Sequence, residues 1–191
     1  MKGVIFCLLE KMVVARGGAP AWEELVRQTR LKTVDGNFIR PAIYPDEDLY
    51  ALMDTASALT GKPVGDLYRA FGRASFFDHA SAYPASMPPG IRAKPFLMSV
   101  DRMMRVEIHK LQPGSHLPYF DYEDPGPDRL VMLYNSPRGL CDFVAGLIDG
   151  VSDHLGEEIT QAHTQCRRDG HPHCRFELRF GARRPDGLAQ A

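Results

Sequence analysis

The sequence has little of what several broad classes of protein require. Its 23 Lys and Arg are matched by 24 Asp and Glu, for a net charge of -1. With no basic excess to neutralise phosphates, nucleic acid is not expected as a partner. No apolar run approaches the ~20 residues of a membrane span, so a membrane is not expected either. The opening Met1-Lys2-Gly3-Val4-Ile5-Phe6-Cys7-Leu8-Leu9-Glu10 has a short apolar run that ends at Glu10 without a small-residue cleavage site. No secretion signal is expected, and a cytoplasmic location follows as the default. Internal repeats and Gly-rich phosphate loops are missing. There are only 4 Cys, and in a reducing compartment they read as thiols or metal ligands rather than disulfides.

What is present fits one domain of 191 residues, 44% hydrophobic and 25% charged, enough to enclose a core and a pocket. Residues 1–15 and 20–31 read as helices, with Gly17-Gly18 as the stop between them and Pro20 opening the second. Pro45-Asp46-Glu47-Asp48 starts a third helix, its acids well placed at the N-terminus, and Gly61 ends it. Pro63 opens a fourth, through Phe71 and Phe77, interrupted by Gly72. The Pro-rich segment 83–90 reads as a surface loop, and 91–112 as a long helix with Phe96, Val100, Met103, Met104 and Ile108 largely inward. The period then changes. Segments 119–124 and 129–136 look like strands, 139–155 like a helix, and 158–163 and 174–180 like two more strands. Helices first and then strands around one more helix predict α+β: an N-terminal helical part followed by a mostly antiparallel four-stranded sheet. The expected division is a helical part over about 1–62, a pocket and sheet part over about 63–180, and a flexible tail over 181–191.

The stretch Tyr134-Asn135-Ser136-Pro137-Arg138-Gly139-Leu140-Cys141 joins two candidate sites. Tyr134, Ser136 and Arg138 alternate, so on an extended segment they point the same way. A phenol, a hydroxyl and a planar guanidinium on one face make an anion clamp suited to carboxylate or phosphate. The plainer reading is a strand end with a solvated Arg and a buried Cys.

The second site is richer. His163-Thr164-Gln165-Cys166 is followed by Arg167-Arg168-Asp169-Gly170-His171-Pro172-His173-Cys174. A hairpin can bring His163, Cys166 and Cys174 to one point, with Cys141 supplied by the preceding helix. Thiolate and imidazole are the donors zinc prefers. His173, next to Cys174, would face the other way on a strand. The plainer reading is a His-rich surface loop with ordinary thiols. No nucleophile–base pair and no open metal triad is visible, so the chain does not read as an enzyme.

These landmarks resemble the H-NOX family, the haem-nitric oxide/oxygen binding domains related to the sensor domain of soluble guanylate cyclase. The resemblance runs from residue 1 to about 180. It rests on Lys2-Gly3-Val4-Ile5, Ala70-Phe71-Gly72-Arg73, Leu117-Pro118 and Tyr134-x-Ser136-x-Arg138. It implies haem propionates on Tyr134, Ser136 and Arg138, with Ile5 and Pro118 against the porphyrin. A subset of the family carries a zinc site, and its pattern matches Cys141, His163, Cys166 and Cys174. The family's iron-binding histidine falls, counting back from Pro113 and Pro118, on Arg105, whose guanidinium has no lone pair for iron. Phe143 stands where some members carry an oxygen-selecting Tyr, which implies nitric oxide rather than oxygen if iron binds. The resemblance therefore implies a non-enzymatic sensor domain, of haem and nitric oxide type, that signals to a histidine kinase or cyclic-nucleotide enzyme. The alternative is a haem-free relative acting as a zinc-thiolate redox sensor or binding another pocket ligand, with Arg105 holding an anion.

Overall fold

The structure is a computed structural model, and it describes residues 1–33, 36–82, 87–111 and 118–183; the side chains of 79, 81, 82, 104 and 106–111 lie outside that description. Expectations placed on Met104, Ile108, Leu117, residues 83–86 of segment 83–90 and the tail beyond 183 fall outside it too.

Helix α1 (Gly3–Gln28) carries both predicted N-terminal helices, broken where Gly18 takes a φ of 76°. Helix α2 (Asp46–Thr60) ends on Gly61, as its left-handed C-cap requires. Helices α3 (Val64–Ala82) and α4 (Ala93–Leu111) follow, then strands β1 (Tyr119–Gly126) and β2 (Arg129–Asn135). Helix α5 (Cys141–Leu155) precedes β3 (Glu157–Gln165) and β4 (Cys174–Arg183). The four strands form one antiparallel sheet in the order β1-β2-β4-β3. Alternation sends Phe120, Leu130, Met132, Tyr134, Cys174, Phe176 and Leu178 inward. The architecture is the α+β arrangement expected.

Two buried clusters form the interior. One gathers Phe6, Leu9, Trp22, Leu49, Leu52 and Phe71 from α1, α2 and the start of α3. The other gathers the inner sheet face with Phe76, Phe96, Val144 and Ile148. Helices α3 and α5 cross between them at very short range. A Cβ on Gly72 would lie 2.0 Å from the Phe143 carbonyl oxygen, and one on Gly146 would lie 1.9 Å from that of Arg69. Gly72 therefore does not interrupt α3, as its low helix propensity suggests it should. It is where α5 backbone comes closest, and packing overrides propensity there. Two ion pairs, Arg69–Asp149 and Arg73–Asp153, flank the crossing.

Candidate functional site: a thiol–imidazole cluster beside an anion clamp

The β3–β4 hairpin and the start of α5 build the cluster. After β3, Cys166 is extended and a one-turn 3-10 helix (Arg167–Asp169) reverses the chain, closed by Gly170 at a φ of 90°. The amide N–H groups of Asp169 and His171 both donate to the Cys166 carbonyl. This turn brings Cys166 back beside Cys174. Gly139, with a φ of 63°, turns the chain out of the clamp so that Cys141 opens α5 against the same point.

Three sulfurs and one imidazole converge there. Cys166 Sγ lies 3.7 Å from Cys141 Sγ and 3.8 Å from Cys174 Sγ. With a ring nitrogen of His163, all four donor atoms lie within 4.8 Å of one another. All three cysteines are buried and free of disulfides. His163 remains exposed as a residue, but its ring stacks on Phe176 at 4.5 Å. The resulting desolvation, ahead of the surrounding charges, lowers its pKa and favours the neutral, ligating form. Burial pushes the Cys141 thiol up, with Asp142 and Cys174 adding to the effect. Burial also raises Cys174. Cys166 goes the other way: burial opposes ionisation, but hydrogen bonds from the Arg168 side chain and backbone prevail and lower it. The Cys174 sulfur also accepts the Arg167 N–H at 3.4 Å. Arg168 bridges outward to Asp142 at 2.9 Å. His171 is exposed and His173 half-buried, and neither joins the cluster.

The clamp is assembled differently from the expectation. Tyr134 and Ser136 are both buried, at 3% exposure, but the strand ends at Asn135. Arg138 sits in the turn beyond, its N–H donating to Ser136 Oγ at 3.3 Å. Its guanidinium Nε donates to Asp46 Oδ2 at 2.6 Å. The other oxygen of Asp46 accepts from the Met1 ammonium at 2.5 Å. Burial works against the Asp46 carboxylate, yet the two cations hold its pKa below the ordinary range. Burial pushes the Tyr134 phenol up to about 12. Sequence reasoning read Asp46 only as a helix N-terminal acid; 92 positions separate it from Arg138, and no local pattern links them.

Of the remaining candidates, Ile5 and Phe143 share the N-terminal cluster, with the Phe143 ring 5.0 Å from that of Phe71. Pro118 is half-buried at the entry to β1. Arg105 is not brought to them. It lies on the outward stripe of α4 with exposed Met98 and Arg102, while Phe96, Val100 and Met103 turn inward. It forms a two-pronged pair with Asp101 (2.6 and 3.3 Å) and lies 5.0 Å over the Tyr119 ring. Asp101 also accepts the Phe120 N–H at 3.1 Å, which ties α4 to β1.

The sequence model of the Haem-NO-binding family matches residues 2–163. The chain belongs to that family. Among solved structures it is similar to an H-NOX protein from S. oneidensis in the Fe(II)NO ligation state. That likeness has 27% identity, 95% of this chain and 100% of that one covered, and a TM-score of 0.87. It is also similar to an unliganded Fe(II) H-NOX protein from K. algicida, at 24% identity, 95% and 97% coverage and a TM-score of 0.82. A variant of T. Tengcongensis H-NOX matches at 23% identity, 96% and 99% coverage and a TM-score of 0.84. The last two show the fold alone. H-NOX domains are haem-based gas sensors rather than enzymes. Among the described residues, no helix is long and apolar enough to cross a membrane.

Against haem, the fit of this chain's residues is divided. Within the polar group of Tyr134, Ser136 and Arg138, the Arg138 guanidinium already holds a carboxylate, the chemistry a propionate needs. Arg105, at the position the family resemblance assigns to the iron ligand, is an outward-facing cation.

Proposed function

We propose that this H-NOX chain is a non-enzymatic sensor domain whose resident cofactor is zinc, held by Cys141, His163, Cys166 and Cys174. Redox change at that centre is the signal it passes to a separate partner, a histidine kinase or cyclic-nucleotide enzyme. The observation that carries this is the sulfur spacing. A zinc–sulfur bond of about 2.3 Å in a tetrahedron requires sulfurs about 3.8 Å apart, and Cys166 Sγ lies 3.7 and 3.8 Å from those of Cys141 and Cys174. Charge supports the same reading. Three thiolates and a neutral imidazole around a divalent ion leave one negative charge, and the Arg168 guanidinium stands against Cys166 to meet it. Four protein donors leave no position for a reactive water, so the centre is structural or redox-responsive rather than hydrolytic. Thiolate oxidation removes a ligand, so metal retention reports the redox state.

A second reading keeps the family's haem. The clamp and the family membership favour it, with Phe143 then implying nitric oxide over oxygen. Haem, when bound, would supply the gas-binding iron. Of this chain's residues, Arg138, Ser136 and Tyr134 would hold its carboxylates, and Ile5 and Pro118 would line the ring. Elemental analysis and visible absorbance of the same purified sample decide between the two. We expect about one zinc per chain, lost on Cys166→Ser, without a strong Soret band. Less than a tenth of an equivalent of zinc, unchanged in the variant, removes the first reading. A saturated Soret band establishes the second.

A further inference from the structure

We infer that Cys166 is the thiol through which small peroxides enter the cluster, with Cys141 and Cys174 as its alternative resolving partners. The inference rests on the redox reading above and adds which sulfur reacts, with what class of oxidant, and in what order.

Access singles out Cys166. An open cleft of about 420 Å³ lies on the outer side of the hairpin, and of the three cluster cysteines only Cys166 lines it, among His163, Arg168 and His171. Cys141 and Cys174 are 0% and 1% exposed, against 7% for Cys166. The volume is ample for a molecule the size of hydrogen peroxide, whose closest analogue, water, takes up about 30 Å³ in the liquid. Electrostatics points the same way, since the Arg168 guanidinium lines the same cleft as Cys166. A cation there faces the departing oxygen of an attacked peroxide.

Position gives Cys166 two resolving partners. Both other sulfurs lie at contact distance from it, 3.7 Å to Cys141 and 3.8 Å to Cys174. The Cys166 thiolate attacks one oxygen of hydrogen peroxide. A sulfur–oxygen bond forms, the oxygen–oxygen bond breaks, and the second oxygen leaves as hydroxide and takes a proton to become water. The sulfur is oxidised to a sulfenic acid and the peroxide is reduced. The thiolate of Cys141 or Cys174 then displaces the sulfenic hydroxyl. A sulfur–sulfur bond forms, and the hydroxyl leaves with a proton as a second water. A disulfide of about 2.05 Å asks either partner to close by about 1.7 Å. The 3-10 turn and Gly170, next to Cys166 on the exposed hairpin, are the local segment able to take up that shift.

The test uses the full chain as isolated. It is treated with sub-stoichiometric hydrogen peroxide in the presence of a diketone that traps sulfenic acids, then alkylated and mapped by peptide mass spectrometry. We expect at least tenfold more trapped product on Cys166 than on Cys141 or Cys174. Labelling of Cys166 should be slower in Arg168→Gln, and without the trap we expect 141–166 or 166–174 disulfides. Cys7, outside the cluster, is the internal control. First labelling on Cys141 or Cys174, or a 141–174 disulfide as the main product, overturns this inference and leaves the redox reading standing. If none of the three is modified under excess peroxide and the metal is retained, both fall.

Discussion

Tyr134 of β2 and Cys174 of β4 are register partners, directly opposite each other across the antiparallel ladder, and both are buried. The first residue of the anion clamp and one sulfur of the thiol cluster therefore occupy one rung of the sheet. The same stretch of chain that leaves Tyr134 runs through Ser136 and Arg138 and delivers Cys141 to the cluster within 7 residues. The two candidate sites are built from shared backbone.

Because Asp46 already occupies Arg138, an incoming carboxylate has to compete with it. Asp46→Asn should raise the affinity of the clamp for an anionic ligand, read by titration with haem. Arg138→Ala should weaken it by about tenfold or more, since a charge-assisted hydrogen bond is worth roughly 1.5–3 kcal/mol. Equal affinities in all three proteins would show that the clamp does not hold that ligand.

Acid should loosen the junction between the N-terminus, α2 and the clamp. The folded-state pKa of Asp46 is depressed. Its contribution is therefore fully present above the ordinary carboxylate value, about 3.9, and is lost as pH falls through the lower folded value. Asp46→Asn should lower stability by denaturant unfolding at neutral pH and flatten the acid limb, so that the two stability–pH profiles converge at low pH. An unaltered acid limb would contradict the pairing.

Arg105→Ala tests whether position 105 belongs to a ligand site or to the surface. Its guanidinium pairs with Asp101 in solvent. We expect zinc content to be unchanged and haem affinity to stay within twofold of wild type by titration. A tenfold loss of affinity would place Arg105 at the ligand after all.

Gly146→Ala forces a Cβ into the Arg69 carbonyl. Helices α3 and α5 must then separate, and overpacking of this kind costs typically 1–3 kcal/mol. The denaturation midpoint should drop accordingly, with the slope unchanged. A midpoint equal to wild type would mean that the crossing spreads without cost.

The elements themselves were legible in the sequence, because helix and strand periods are local. The helical period of α5, the acids opening α2, Gly61 closing it and the alternation of β2 and β4 each follow from a few neighbouring residues. The metal-like set was legible for a chemical reason: thiols and an imidazole clustered on one hairpin have few other uses, and Cys141, His163, Cys166 and Cys174 do meet. Direction and partnership were not legible. A helical period shows that α4 has an inner face, but only packing decides that the stripe of Met98, Arg102 and Arg105 is the outer one. Composition marks Gly72 as a weak point in a helix, whereas the close approach of α5 makes it a requirement. The pairing of Arg138 with Asp46 joins residues 92 apart; it exists because the fold lays the start of α2 beside the end of β2, and tertiary structure alone decides that.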